Sequence, residues 1–134
     1  MRTGLIAGSF DIIHPGYIRL FQDAKRHCDF LIVALHVDPS VERTGKEKPI
    51  FSVDERKEIL SAIKYIDQVV TYCVESDLTE LMKQVHIDVR ILGSDYLKTP
   101  QKITSPEMSN EVYFHLRNHD WSQTKIKRLL REKK

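Results

Sequence analysis

The sequence predicts an α/β protein, a doubly wound, Rossmann-like parallel sheet of about five strands with helices on both faces, and three observations carry that expectation. Short apolar segments of strand composition alternate with segments of helical period along the chain. Asp29 to His36 is a nearly continuous apolar run, the form of a parallel strand covered on both faces. Three separated stretches, Gly8 to Tyr17, Gly93 to Tyr96 and Arg117 to Thr124, each fall after a strand, and a sheet of this kind gathers such segments into one crevice.

Taken in order, Thr3-Gly4-Leu5-Ile6-Ala7 is a strand that runs into a turn, and Tyr17 to His27 reads as a helix. Gly8 suits the sharp turn, Pro15 suits a first helical position, and His14 before it is the expected cap. Ile18, Phe21, Ala24 and Lys25, with Leu20 alongside, give the spacing of a helix with one buried face. After the second strand, Val37 to Phe51 loses periodicity and gathers charge, which reads as a mobile basic loop around Gly45. Ser52-Val53-Asp54-Glu55 is a capping box that starts a helix with Ile59, Leu60 and Ile63 on its inner face. Gln68 to Tyr72 is a β-branched strand, Ser76 to Val85 a third helix, and Asp88 to Leu92 a fourth strand. Leu97 to Asn110 is polar, with one helical turn expected at Pro106. Glu111 to Leu116 has strand composition, and Ser122 to Glu132 is a last helix with Ile126, Leu129 and Leu130 facing inward.

A chain of 134 residues with this pattern is expected to be a single domain spanning 1–134. Its 21 basic and 19 acidic side chains nearly cancel, which gives no field-level reason to expect nucleic acid or a membrane surface as partner. The basic helix from Lys125 to Lys134 reads as a solvated face. No apolar run approaches the roughly 20 residues that cross a bilayer, and the start shows no leader pattern, so a cytoplasmic protein is expected. Cys28 and Cys73 are too far apart to form a metal or redox pair, and both are expected reduced. His27, His36, His86 and His115 lack metal spacing and read as structural, so no metal ligand set is assigned.

The site is expected at Gly8-Ser9-Phe10-Asp11-Ile12-Ile13-His14-Pro15-Gly16-Tyr17. A helix start there offers free amides and a partial positive charge to an anion, and the His14 imidazole can add a directed hydrogen bond. These residues resemble the cytidylyltransferase-type nucleotidyltransferases, whose first strand ends in Gly-(Thr/Ser/Cys)-Phe-Asp and whose helix opens with His-x-Gly-His. Gly8, Ser9, Phe10, Asp11, His14 and Gly16 match, while Tyr17 stands in place of the second histidine. Arg117-Asn118-His119-Asp120-Trp121-Ser122-Gln123-Thr124 is similar to the family's second signature, Arg-Thr-x-Gly-Ile-Ser-Thr-Thr, through Arg117, Ser122 and Thr124. Arg56 and Asp95 each match a charged residue of the family, and a phosphate-reaching lysine falls near Thr44, where Lys46, or else Arg43, is the expected substitute.

The resemblance, strongest to glycerol-3-phosphate cytidylyltransferases, implies transfer of CMP from CTP to a small phosphorylated alcohol with release of pyrophosphate. It implies His14 at the α-phosphate, Tyr17 as a weaker donor beside it, and Arg117, Ser122 and Thr124 at the departing phosphates. It also implies Lys46 at the triphosphate, Asp11 at a nucleotide or metal, magnesium accompanying the nucleotide, and a homodimer. Two alternatives stand beside it. One is an adenylyltransferase acting on a sugar phosphate, to which Gly93-Ser94-Asp95-Tyr96 is also similar; the other is a nucleotide-binding module without catalysis.

Overall fold

The computed structural model describes residues 1–43 and 45–132. Its elements are β1 (Thr3–Gly8), α1 (Pro15–Arg26), β2 (Phe30–His36), α2 (Val53–Ser61), β3 (Gln68–Tyr72), α3 (Glu75–Gln84), β4 (Ile87–Gly93), β5 (Ser109–His115) and α4 (Gln123–Glu132). The expected order is met, with ends shifted by a residue or two where caps rather than composition decide. Two stretches carry more structure than their composition predicts. The loop after β2 holds a 3-10 turn at Pro39–Val41, and residues 94–108 wind into three, Ser94–Leu97, Pro100–Lys102 and Pro106–Met108. Thr44 and the tail residues 133–134 lie outside the described residues.

The five strands form one parallel sheet in the order β3-β2-β1-β4-β5. Leu31, Val33 and Leu35 point to the face covered by α1 and α2, where they meet Phe21, Ala24 and Leu60. Their neighbours Ile32 and Ala34 point to the opposite face and meet Leu78 and Met82 of α3. That period-2 alternation with both faces apolar is why the second strand reads as an unbroken hydrophobic run. The chain leaves β1 toward β2 and leaves β4 toward β5, so the winding reverses between β1 and β4. There the pairing is short. β1 pairs with β2 from Thr3 to Gly8 but with β4 only at Gly4 and Leu5, so the two central strands part toward their carboxyl ends. This parting makes the crevice.

Three helices differ from the expected inner faces, the first being α1, where Phe21 and Ala24 are buried but Ile18 is exposed. Leu60 is fully buried, but Ile59 is 37% exposed and Ile63 packs at the core's edge beyond the end of α2. In α4, Leu130 is 64% exposed and no residue of the helix is buried. The reason is where α4 is held: Gln123 bonds Tyr17 and Lys127 pairs with Asp11, so it is tied to the loops at the sheet's carboxyl end. No described helix is long and apolar enough to cross a membrane.

Candidate active site

The turn after β1 is built around one unusual backbone angle. Phe10 has φ of +43°, in the left-handed region that a residue with a side chain enters at a cost of about 1–3 kcal/mol. The turn buries its ring against Phe21 and, edge-on, Tyr17, with centroids 5.4 and 5.3 Å away. Gly8 leaves the ring its room, since a Cβ there would lie 3.0 Å from the ring's Cζ and the ring would have to give by a few tenths of an ångström. With Phe10 turned down, Asp11 is also buried, and its carboxylate accepts from the amides of Ile50 (2.8 Å) and Phe51 (2.9 Å). Lys127 Nζ lies 3.2 Å from the same carboxylate. Burial pushes the Asp11 carboxyl up, but the two amides and the ammonium outweigh it and hold it below the ordinary range.

His14 caps α1 as expected: its Nδ1 accepts from Gly16 N at 3.1 Å, and Tyr17 and Ile18 amides reach its carbonyl. With Nδ1 accepting, the neutral ring carries its proton on Nε2. Burial, then the nearby His119 and Arg117, lower its pKa to about 4, so the ring is a neutral donor near pH 7. Tyr17 stacks on His14 with centroids 4.1 Å apart, and its hydroxyl accepts from Gln123 Nε2 at 2.6 Å. The phenol thus ties α1 to α4.

The segment entering α4 closes the crevice from above. Ser122 Oγ caps the helix by accepting from Lys125 N at 3.0 Å. The Arg117 guanidinium bonds the Trp121 carbonyl and lies 3.5 Å from Asp95 Oδ2. His119 accepts from Trp121 N at 3.1 Å through Nδ1, and its ring lies over the first turn of α1, with its centroid 6.1 Å from that of His14. Together with Gly8, Ser9, Phe10, Gly16, Lys46 and Thr124, these groups line a cavity of about 670 Å³ between the carboxyl ends of β1 and β4.

Two expected site residues are turned away from it. Arg56 is 2% exposed, and its guanidinium donates to the carbonyls of Phe51 (3.1 Å), Ser9 (2.9 Å), His36 (2.7 Å) and Val37 (2.5 Å). It holds three chain segments in place, and neither Arg56 nor Asp11 lines the cavity. The reading of the α4 face as solvated fails at Lys127, whose side chain is only 12% exposed and lies between Asp11 and Glu47. His115, read as structural, lines the cavity while its Nδ1 bonds Asp23 Oδ2 at 2.7 Å. Arg90 was not singled out by sequence at all. It sits in the middle of β4, 3% exposed, and lines the far side of the cavity near Tyr72, Glu75 and Thr104. One signal was present: Arg90 is the one charge inside an otherwise apolar strand run, Val89 to Leu92.

The cytidylyltransferase-like family model matches residues 5–129, nearly the whole described chain. The chain belongs to this family. Bifunctional protein HldE of Gluconacetobacter diazotrophicus is 42% identical over 97 residues, which are 72% of this chain and 20% of that protein. HldE of Helicobacter hepaticus is 36% identical over 106 residues, 78% of this chain and 21% of that protein. The chain thus spans about a fifth of the length of these relatives. Among solved structures, a lipopolysaccharide core biosynthesis protein from Thermoplasma volcanium aligns with TM-score 0.69 and 25% identity, over 91% of this chain and 99% of that one. Pantothenate synthetase from Thermus thermophilus, at 12% identity and TM-score 0.63 over 96% of this chain and 64% of that one, shares the fold. Family membership meets the expectation of a nucleotidyltransferase with a Rossmann-like parallel sheet.

Proposed function

We propose that this domain transfers a nucleotidyl group from a nucleoside triphosphate to a sugar phosphate and releases pyrophosphate. The observation that carries this reading is the convergence of His14, Arg117, Ser122 and Thr124, which come from the two ends of the chain, on the cavity where β1 and β4 part. In-line attack by an acceptor phosphate oxygen forms a new bond to the α-phosphorus, and the bond to the bridging oxygen breaks with its electron pair leaving on pyrophosphate. The acceptor is already ionised, so catalysis reduces to positioning and charge stabilisation. His14 Nε2–H donates to the α-phosphate, while Arg117, Lys46 and the start of α4 take up the charge of the departing phosphates. On the far side of the cavity, Tyr72, Glu75, Arg90 and Thr104 offer the mixture of acceptors and donors that suits a hydroxyl-rich acceptor.

ATP is the donor under this reading, favoured by the similarity of Gly93-Ser94-Asp95-Tyr96 to sugar-phosphate adenylyltransferases. CTP with glycerol 3-phosphate is the second reading, favoured by the Gly8 to Gly16 resemblance. Magnesium enters with the triphosphate. The described residues contain no cluster of three acidic, histidine or cysteine side chains that would hold a metal by themselves, and Asp95, exposed at the mouth, is one of the cavity's carboxylates along with Glu47 and Glu75. A cytoplasmic location and a homodimer belong to the same proposal, and the dimer rests on the resemblance. Pyrophosphate release with ATP or CTP, magnesium, and a panel of aldose phosphates and glycerol 3-phosphate tests the reading. Turnover with ATP and an aldose phosphate supports it, turnover only with CTP and glycerol 3-phosphate selects the second, and none with any pair defeats both.

A further inference from the structure

Two imidazoles face the same end of the cavity, and only one of them belongs to the turn after β1. His119 arrives from the opposite end of the chain, and its position depends on Gly16. A Cβ on residue 16 would fall 2.2 Å from His119 Cε1, 2.4 Å from its Nε2 and 2.9 Å from His14 Cε1, so the absent side chain of Gly16 is the space that lets both rings meet over the first turn of α1. The two rings are held alike. His14 Nδ1 accepts from Gly16 N and His119 Nδ1 accepts from Trp121 N, both at 3.1 Å, so each neutral ring is fixed in the tautomer that carries its proton on Nε2. His119 Nε2 makes no hydrogen bond among the described residues, and the ring lines the cavity. Tyr17, by contrast, has its ring laid against His14 and its hydroxyl engaged by Gln123.

We propose that His119 is a catalytic residue, the second imidazole donor to the α-phosphate oxygens, supplied from the segment before α4 beside His14. Resting on the nucleotidyl-transfer reading, this gives Tyr17 the structural task of fixing α1 against α4. Two preorganised Nε2–H groups then meet the oxygens on which charge collects as the α-phosphorus becomes five-coordinate, and neither ring gives up its proton.

The test compares pyrophosphate release by the wild type, His119→Ala and His119→Gln with saturating triphosphate and acceptor. Loss of one preorganised donor lowers kcat by about 10²-fold, so His119→Ala is expected to fall by that factor while the KM for triphosphate changes by less than about threefold. His119→Gln keeps an N–H donor and is expected to recover at least tenfold over His119→Ala. A His119→Ala enzyme with kcat within about threefold of wild type overturns the proposal, and so does a His119→Gln enzyme no better than His119→Ala. A wild type without turnover defeats the functional reading instead, and the inference is then decided by imidazole ¹⁵N signals during titration with an α,β-methylene triphosphate. The Nε2 resonance of His119 must shift together with that of His14; a shift at His14 alone, or at neither, overturns it.

Discussion

Two buried arginines stand on opposite faces of the sheet and are used in opposite ways. Arg56, at the start of α2, is on the face of α1, and all three nitrogens of its guanidinium donate to backbone carbonyls left over at the ends of β1, β2 and the loop before α2. Arg90, in β4, is on the face of α3, where one nitrogen bonds the Thr104 carbonyl at 2.8 Å and approaches Met82 Sδ at 3.6 Å. Its Nε is buried with no partner among the described residues. Burial pushes both guanidinium groups down, and Arg90 has no ion pair among the described residues. The difference teaches where rigidity and recognition sit. On the α1 side, which carries His14, the Arg56 guanidinium is spent on the backbone and holds the turn in place, leaving the His14 Nε2–H to meet a ligand. The α3 side keeps a buried donor unsatisfied in an arginine that lines the cavity, a costly arrangement for stability alone.

The largest effect that can break this comparison is on stability. Arg56→Met leaves the carbonyls of Ser9, His36 and Val37 without donors in a buried setting, and we expect a loss of about 4 kcal/mol in urea unfolding. Arg56→Lys should recover little of it, since an ammonium cannot reach carbonyls spread over a planar fork. Arg117 extends the comparison to an arginine at the cavity's edge. Arg117→Ala is expected to lower kcat by about 10²-fold with a smaller change in KM, because charge on the leaving pyrophosphate grows as the bond breaks. A change confined to KM would make it a ground-state binding residue.

A pH effect tests the rigid side directly. The folded-state pKa of His14 is depressed to about 4 against an ordinary 6.5, so below that ordinary value the unfolded chain binds the proton more readily. The stability that comes from keeping His14 neutral is present above pH 6.5 and is lost as pH falls through the window from 6.5 to about 4. Chemical denaturation of His14→Gln across that window should therefore show a shallower fall than wild type, and parallel curves would contradict the buried neutral ring. The smallest expected effect is at Arg90. Arg90→Met should change stability by no more than about 1 kcal/mol, because an apolar side chain of similar length removes a buried charge that is poorly matched. A loss as large as that of Arg56→Met would show that the two arginines serve the same purpose.

Much of this protein was legible because its signals are local. The His14 cap, the Ser52–Glu55 capping box and the doubly apolar β2 each follow from chain neighbours, and each is found where the sequence puts it. Local signals also misled. Leu130 has the spacing of a core residue, yet it is exposed because α4 is tied to loops, and Asp11 and Arg56 match family positions while their charges are turned into the backbone.

What the sequence determined by itself is the order of strands and helices and the position of the phosphate-type turn, since hydrophobic period and capping chemistry act over a few residues. What only the tertiary structure decided is which charges share a space. Lys127 on Asp11 and His119 over Gly16 join residues 116 and 103 positions apart, and Arg90 inside the cavity depends on which face of a strand is covered. Such pairings are set by the parting of β1 from β4 and by the placing of α4 across their ends, and a side chain's neighbours there are fixed by packing in three dimensions, which no local pattern encodes.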